Sequence, residues 1–239
     1  MKPAVVSNTK AMSAPPSIIQ ADFDRIALLA DYSRDHNSYY DDFLLKHLPS
    51  PCREALEIGC GAGAFSRRLA GRSTCVLAID LSPQMIRIAR ERSAQWANVK
   101  FQVADVMSYE FPAEHFDCIA SIATLHHLPL AEMLPKLQRA LKPGGTLLIL
   151  DLYKVQSLMD YLASLIAFPV SLGLRLIHTG RLRPSREVRA AWDEHARHDV
   201  YLTVREVRRI CASLLPGAEV RQHLLWRYSL IWKKPAGSA

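Results

Sequence analysis

The sequence has few of the features that mark secreted, metal-binding or membrane-spanning proteins. Its five cysteines are odd in number and show no Cys-x-x-Cys spacing, which argues against a disulfide framework or zinc site and favours a reducing compartment. Residues 1–20 contain two adjacent prolines and no continuous apolar run, so a secretory signal is not expected there. We expect a cytoplasmic protein with a disordered tail over residues 1–20 and no bound metal.

Long apolar stretches are also scarce. The segment YLASLIAFPVSLGL, residues 161–174, carries no charge, but its 14 residues are interrupted by Pro169 and Gly173. A membrane span needs about 20 apolar residues, so the sequence predicts no transmembrane helix. We expect a buried or interfacial helix here, for which an apolar ligand, a lid, a homodimer contact and simple core packing are all open interpretations.

The excess positive charge lies at the end of the chain. The net charge is +7, and residues 175–239 hold 13 basic and 6 acidic side chains, whereas residues 1–174 hold 17 of each. Glutamates lie between the arginines of this last quarter, and few aromatic residues lie among them to stack on bases. We therefore expect a solvated basic face and no nucleic acid partner.

Apolar runs rich in valine and isoleucine alternate with amphipathic stretches, which is typical of parallel β-α-β units. The runs predict strands at residues 54–59, 75–80, 99–105, 116–122 and 145–153. Two further runs, residues 219–226 and 228–232, are nearly adjacent and predict an antiparallel hairpin. We expect an α/β fold with a Rossmann-like, doubly wound, seven-stranded mixed sheet that is mostly parallel.

The predicted helices complete a single domain over residues 21–239. Residues 21–48 are a helical lead-in, and residues 154–200 are a helical insertion after the fifth strand. Ser82 followed by Pro83 is an N-cap signal, which predicts a helix to about residue 97. A helix over residues 130–141 is expected to end at the Lys-Pro-Gly-Gly sequence around Pro143.

Three glycines at alternate positions follow the first predicted strand in ALEIGCGAGAFSRRLA, residues 55–70. Gly59, Gly61 and Gly63 let the main chain approach a ligand closely, and they also satisfy a loose dinucleotide pattern. Glu57 lies two residues before the first glycine, where a carboxylate favours a cationic ligand group over a pyrophosphate. The loop therefore indicates a ligand with a positively charged end.

Two further acidic residues end the next predicted strands. Asp80 and Asp105 are expected at the same edge of the sheet as the glycine loop, because parallel strands end together. Asp80 suits ribose hydroxyls and Asp105 suits an exocyclic amine, since both are donors to a carboxylate. Each residue taken singly is equally consistent with an ordinary strand-end cap.

Five motifs occur in order, namely ExGCGxG, IDLSPQMIRIAR, ADVMSYEFP, FDCIASIATLHHLP and LKPGGTLLILD. In order and spacing they resemble the class I S-adenosylmethionine-dependent methyltransferases, in particular the small-molecule group related to quinone-biosynthesis enzymes. The resemblance covers residues 43–153 strongly and the C-terminal hairpin weakly. It implies S-adenosyl-L-methionine as cofactor and S-adenosyl-L-homocysteine as product, with a nicotinamide dinucleotide as the less favoured ligand.

The resemblance also implies a set of cofactor contacts. The methionine moiety is expected to contact Glu57, Gly59, Cys60, Gly61 and Gly63, and the nucleoside to contact Asp80, Leu81, Met85, Asp105 and Val106. Ser121 and Ile122 are expected beside the sulfonium, and Tyr40 is expected to close over the cofactor. Met85 is also consistent with a core position at helical spacing. Cys60 is expected to fill space rather than act as a nucleophile, because no base is visible beside it.

Two histidines and an aspartate are candidates for the chemistry. His126 and His127 follow the fourth predicted strand and Asp151 ends the fifth, so a histidine oriented by a carboxylate can serve as a general base. Some sugar O-methyltransferases that this sequence resembles have such a pair at the positions of His126 and Asp151. Histidines that only pack and bond to backbone are the alternative interpretation.

The sequence therefore predicts methyl transfer to a small, lipophilic or aromatic acceptor. Oxygen is the favoured acceptor atom, and carbon, sulfur and nitrogen are open. The lead-in and the insertion are expected to form the acceptor pocket or its lid. An RNA methyltransferase, suggested by the basic last quarter, and a catalytically idle module that binds a cofactor or partner are the alternatives.

Overall fold

Seven strands form one sheet in the computed structural model, which describes residues 14–29, 37–180 and 183–236. The strands are β1 (Glu54–Ile58), β2 (Cys75–Asp80), β3 (Val99–Val103), β4 (Phe116–Ile122), β5 (Leu141–Leu152), β6 (Glu219–His223) and β7 (Arg227–Lys233). Their order is β3-β2-β1-β4-β5-β7-β6; the first five pair in parallel, and β7 is antiparallel to both β5 and β6. The predicted fold class is confirmed, including the C-terminal hairpin.

Eight helices accompany the sheet in the described parts of the chain. They are α1 (Pro16–Leu29), α2 (Asp41–Leu45), α3 (Ala64–Ala70), α4 (Pro83–Arg92), α5 (Leu130–Ala140), α6 (Leu158–Thr179), α7 (Arg186–His195) and α8 (Val204–Leu214). Ser82 caps α4 as predicted, because its hydroxyl accepts a hydrogen bond from the Met85 N–H at 3.0 Å. Ser157 with Asp160, and Thr203 with Glu206, form capping boxes that begin α6 and α8.

Helices cover both faces of the sheet. Leu56 and Ile119 belong to a core that contains Leu137 of α5 and Val207 of α8, and all four are fully buried. A second core joins Leu148 of β5 to residues of α2 and α3. Burial on both faces explains why these strands read as continuous apolar runs rather than as alternating ones.

Three predicted boundaries are displaced by about four or five residues, and other strand ends differ by less. Residues 16–20 were expected to be disordered, but they belong to α1, which begins at Pro16 and buries Ile19. Residues 1–13, and residues 30–36 of the lead-in, lie outside the described parts. The helix expected to reach residue 97 ends at Arg92. Strand β5 begins at Leu141 instead of residue 145, because Leu141 pairs with Phe116 and a register shift accommodates Pro143.

Helix α6 differs most from expectation. It continues through Pro169 and Gly173 for 22 residues, and most of its large apolar side chains are exposed, so the predicted interruption and the core-packing interpretation are both wrong. The stretch Leu158–Ile177 is long and apolar enough to cross a membrane by length and composition, and only 6% of it is buried within the protein. The count of 14 apolar residues therefore does not exclude a membrane span, although a single such helix is weak evidence for one.

We expect alanine to be tolerated differently at two glycines of the loop after β1. Gly59 and Gly61 have φ angles of 70° and 49°, but an added Cβ would overlap Thr124 at Gly59 and would meet open space at Gly61. Gly61→Ala should cost about 1 kcal/mol for backbone strain, and Gly59→Ala about 3 kcal/mol because steric overlap adds to it. Urea unfolding of both variants measures this, and equal losses would contradict the assigned contact.

Candidate active site

The glycine loop is anchored to the end of β2. The N–H groups of Gly59 and Cys60 donate to the Ile79 carbonyl at 2.8 and 3.1 Å, and the Gly61 N–H donates to Asp80 Oδ2 at 2.8 Å. Asp80 also accepts from the Ser82 N–H at 2.9 Å, while burial raises its pKa. Asp80 therefore holds the loop and the start of α4 together, a role the sequence did not reveal.

Glu57 lies under this loop and is almost fully buried. Its Oε2 accepts a hydrogen bond from the Ser66 hydroxyl of α3. Burial disfavours the charged form and raises the pKa of Glu57 to about 8, although the Ser66 hydrogen bond acts in the opposite direction. Burial therefore favours the protonated form of Glu57 while the site is empty, and the expected preference for a cationic ligand group stays a prediction.

The other implied cofactor residues of the strand ends lie along the same edge of the sheet. The Ser121 hydroxyl donates to the Ile58 carbonyl at 3.1 Å, which ties the end of β4, next to Ile122, to the end of β1. Asp105 follows β3, and its Oδ1 accepts from the Met107 N–H at 2.9 Å. These side chains therefore lie along one edge of the sheet, at the ends of β1, β2 and β4, and Asp105 lies just beyond the end of β3.

Three residues that the resemblance assigns to the adenine contact other parts of the protein in this structure. Met85 is buried in a cluster with Ile26, Ala27 and Ala191, which joins α4 to α1 and α7. Val106 belongs to the large core, and Leu81 is partly buried beside Ser82 at the start of α4. The adenine contacts of these three residues stay predictions.

Cys60 and Tyr40 are held by their surroundings. Cys60 is buried, and burial raises the pKa of its thiol well above the usual value, as expected for a residue that fills space. The Tyr40 hydroxyl donates to the Leu224 carbonyl in the turn between β6 and β7, and its ring lies 5.2 Å from the His223 ring. Contact between Tyr40 and a cofactor stays a prediction.

The pair of His126 and Asp151 forms as predicted. Nδ1 of His126 lies 2.6 Å from Asp151 Oδ1, and the two side chains are 6% and 1% exposed. Burial by itself lowers the pKa of His126, but the charge and hydrogen bond of Asp151 outweigh it and raise the pKa above the usual value. Such a histidine is oriented and made more basic by its carboxylate.

His127 has a different environment. Burial, together with the neighbouring His126 and His195, lowers the pKa of His127 to about 2. Neither ring nitrogen of His127 has a hydrogen-bond partner. A neutral imidazole with so low a pKa is a poor proton acceptor, which argues against a base role for His127.

Sequence reasoning missed Asp199 as part of this site. Asp199 Oδ1 lies 3.4 Å from His127 Nδ1, 3.9 Å from His126 Nε2 and 3.5 Å from His195 Nε2, and Oδ2 accepts from the Tyr201 hydroxyl. The spacing of His195 and Asp199, four residues apart, is the one local signal in the sequence that places them together.

A second missed contact joins this site to the N-terminal helix. Asp22 of α1 lies 3.3 Å from His195 Nδ1 and 2.9 Å from His198 Nδ1 through its Oδ2. The Phe23 ring packs edge-on against His195 at 4.6 Å. Helix α1 therefore closes over the histidines, which agrees with a lead-in that contributes to the site.

Known proteins agree with this architecture. The N-methyltransferase NodS from Bradyrhizobium japonicum WM9, solved with S-adenosyl-L-homocysteine, superposes with a TM-score of 0.62 at 20% identity, covering 91% of this chain and 98% of that one. The fold is thus the Rossmann-like fold of methyltransferases. Residues 55–145 match the methyltransferase domain family.

Two relatives are similar to this chain in amino-acid sequence as well as in fold class. An uncharacterized methyltransferase of Mycobacterium tuberculosis is 31% identical over 202 residues, which cover 83% of this chain and 96% of that protein. The ubiquinone biosynthesis O-methyltransferase of Xylella fastidiosa is 34% identical over 112 residues, or 45% of each chain. The chain belongs to the methyltransferase family.

The buried acid predicts a pH dependence of stability. Because the pKa of Glu57 is about 8 in the fold and near 4.5 when unfolded, unfolding releases a proton between these values and stability falls as pH rises. Relative to Glu57→Gln, the wild type should lose up to about 1.4 kcal/mol per pH unit between about pH 5 and 8. Urea unfolding across this range measures the difference, and parallel curves for the two proteins would contradict the assignment.

Proposed function

We propose that this methyltransferase moves a methyl group from S-adenosyl-L-methionine to a hydroxyl of a small, lipophilic or aromatic acceptor. The observation that carries the proposal is the buried pair of His126 and Asp151 at the ends of β4 and β5. Two relationships support it: NodS was solved with S-adenosyl-L-homocysteine, and the Xylella relative is a quinone-pathway O-methyltransferase by name.

The glycine loop and the strand ends are the proposed cofactor site. The amino-acid end would lie over Gly59, Gly61 and Gly63, and the ribose would bind at Asp80, which keeps lone pairs beyond its two backbone contacts. Arrival of a cationic ammonium beside Glu57 would favour the ionised form of that carboxyl. The site would therefore acquire its negative charge as the cofactor binds.

His126 would accept the proton of the acceptor hydroxyl. Its Nδ1–H is held by Asp151, so the lone pair of Nε2 is available to the acceptor, and Asp151 stabilises the imidazolium that forms. Bound S-adenosyl-L-methionine would supply the methyl group, and the proton of the acceptor hydroxyl would pass to Nε2 of His126. The residues that position the acceptor against the cofactor would supply the rest of the rate increase.

The acceptor pocket and the assembly are further parts of the proposal. Helix α1 and the insertion of residues 154–200 would form the pocket within one domain, since Asp22 and His195 already join them beside His127. The exposed apolar side chains of α6 support a homodimer, because apolar patches of this kind mark interaction sites. A small-molecule acceptor and a cytoplasmic location complete the proposal.

Cofactor choice is tested by calorimetry with S-adenosyl-L-methionine and with NAD. We expect binding of the first and none of the second. Asp80→Asn, which keeps an acceptor oxygen for the loop, should weaken binding of S-adenosyl-L-methionine at least about tenfold because it removes the carboxylate charge. Glu91→Gln, on the exposed face of α4, is the control. NAD binding with S-adenosyl-L-methionine excluded would overturn the proposal.

The base is tested by release of S-adenosyl-L-homocysteine across a panel of phenols, quinols and thiols. With the best hydroxyl acceptor, His126→Ala and Asp151→Asn should lower kcat by about 100-fold or more, since a positioned base contributes that much. His115→Ala, an exposed histidine near β4, should leave kcat unchanged. If His126→Ala stays within a few-fold of the wild type, the base assignment fails.

A further inference from the structure

Several buried polar atoms beside the pair of His126 and Asp151 have no hydrogen-bond partner. They are both ring nitrogens of His127, Oδ1 of Asp199 and Oδ2 of Asp151. The side chains of His127 and Asp199 are 6% and 5% exposed, so water does not satisfy them freely. A buried polar atom left unpaired destabilises the fold, and four such atoms at one place call for an explanation.

The spacing of these atoms differs from that of a hydrogen-bonded network. The distances from Asp199 Oδ1 to His127 Nδ1 and His126 Nε2 are 3.4 and 3.9 Å, beyond the usual range for N–H···O bonds. One donor atom from each of the three residues lies within 4.8 Å of the others. Ligand atoms around a tetrahedral cation with bonds of about 2.0 to 2.1 Å are about 3.4 Å apart. Asp199 Oδ1 and His127 Nδ1 have this separation, and the 3.9 Å between Asp199 Oδ1 and His126 Nε2 would shorten by about 0.5 Å when a cation binds.

We propose that His126, His127 and Asp199 form a binding site for a divalent transition-metal cation of the zinc class. Two imidazoles and one carboxylate are a donor set that zinc accepts, with a fourth position left for water. The cation would pair Oδ1 of Asp199 and one of the two unpartnered nitrogens of His127, which are two of the four unpartnered atoms.

The surrounding contacts support these ligands. Asp151 holds Nδ1 of His126 at 2.6 Å, which leaves Nε2 as the donor, in the carboxylate–histidine–metal arrangement common at such sites. The Tyr201 hydroxyl donates to Oδ2 of Asp199 and leaves Oδ1 to face the histidines. His126 and Asp199 are therefore oriented by neighbouring side chains before a cation binds.

This inference goes beyond the proposed function and limits it. A cation bound to Nε2 of His126 occupies the lone pair that the proposed base needs. The site therefore predicts that zinc inhibits the proposed methyl transfer and that a chelator restores it. Metal binding itself requires neither the cofactor nor an acceptor.

The test is equilibrium dialysis and absorption spectroscopy of the tag-free full chain with Co²⁺ and Zn²⁺. We expect one cation per chain and a cobalt spectrum without a thiolate charge-transfer band, because no cysteine belongs to the site. His127→Ala and Asp199→Asn should each weaken binding at least about tenfold. His115→Ala is the matched control, and circular dichroism and thermal unfolding confirm that each variant folds.

Three results would overturn the proposal: no cation bound, binding that neither variant weakens, or a thiolate band that moves the ligand to a cysteine such as the exposed Cys75. The outcome is independent of the proposed function. If His126→Ala leaves methyl transfer intact, the base assignment fails while cobalt binding still reports on the metal site. If cobalt does not bind, the kinetics of the base variants are unaffected.

Discussion

Parallel pairing of β1 to β5 is the constraint on which the site depends. Because all five strands run the same way, their carboxyl ends meet at one edge, and residues far apart in the sequence become neighbours there. Glu57, Asp80, Ser121 and Asp151 reach this edge from four different strands. The helices that cover both faces of the sheet keep most of these side chains away from water. Position along the strand thus sets both which groups meet and how strongly they are desolvated.

Desolvation disfavours the charged form of each buried group at this site, and the partners of that group decide whether desolvation prevails. Glu57 is buried with one hydroxyl partner, and its pKa rises to about 8. His126 is nearly as buried, yet its pKa rises because Asp151 stabilises the charged imidazole. His127, beside it, has no acidic hydrogen-bond partner, and its pKa falls to about 2. The two histidines share a residue type and differ in their pKa, so their contacts set their charge.

The sequence predicted what depends on local pattern. Strands β1 to β4 were found because doubly covered parallel strands are continuous apolar runs, and the α4 cap was found because Ser82 and Pro83 act within one turn. The start of β5 at Leu141 was missed, because pairing with Phe116 overrides the turn signal of Pro143 and the glycines after it. The contact between Asp199 and His127 was missed because it also depends on tertiary structure: only the fold brings the insertion close to the residues that follow β4.

The single lone pair of His126 Nε2 links the two proposals made for this site. Its Nδ1 is committed to Asp151, so Nε2 binds either a proton from an acceptor or a cation, and one excludes the other. Asp199 Oδ1, 3.9 Å from Nε2, affects both cases, since a carboxylate stabilises a nearby imidazolium and also ligates a metal. A base near a carboxylate oxygen that has no hydrogen-bond partner gains basicity and affinity for cations together. Replacing Asp199 by Asn would then lower both, whereas replacing His127 by Ala would lower cation binding alone.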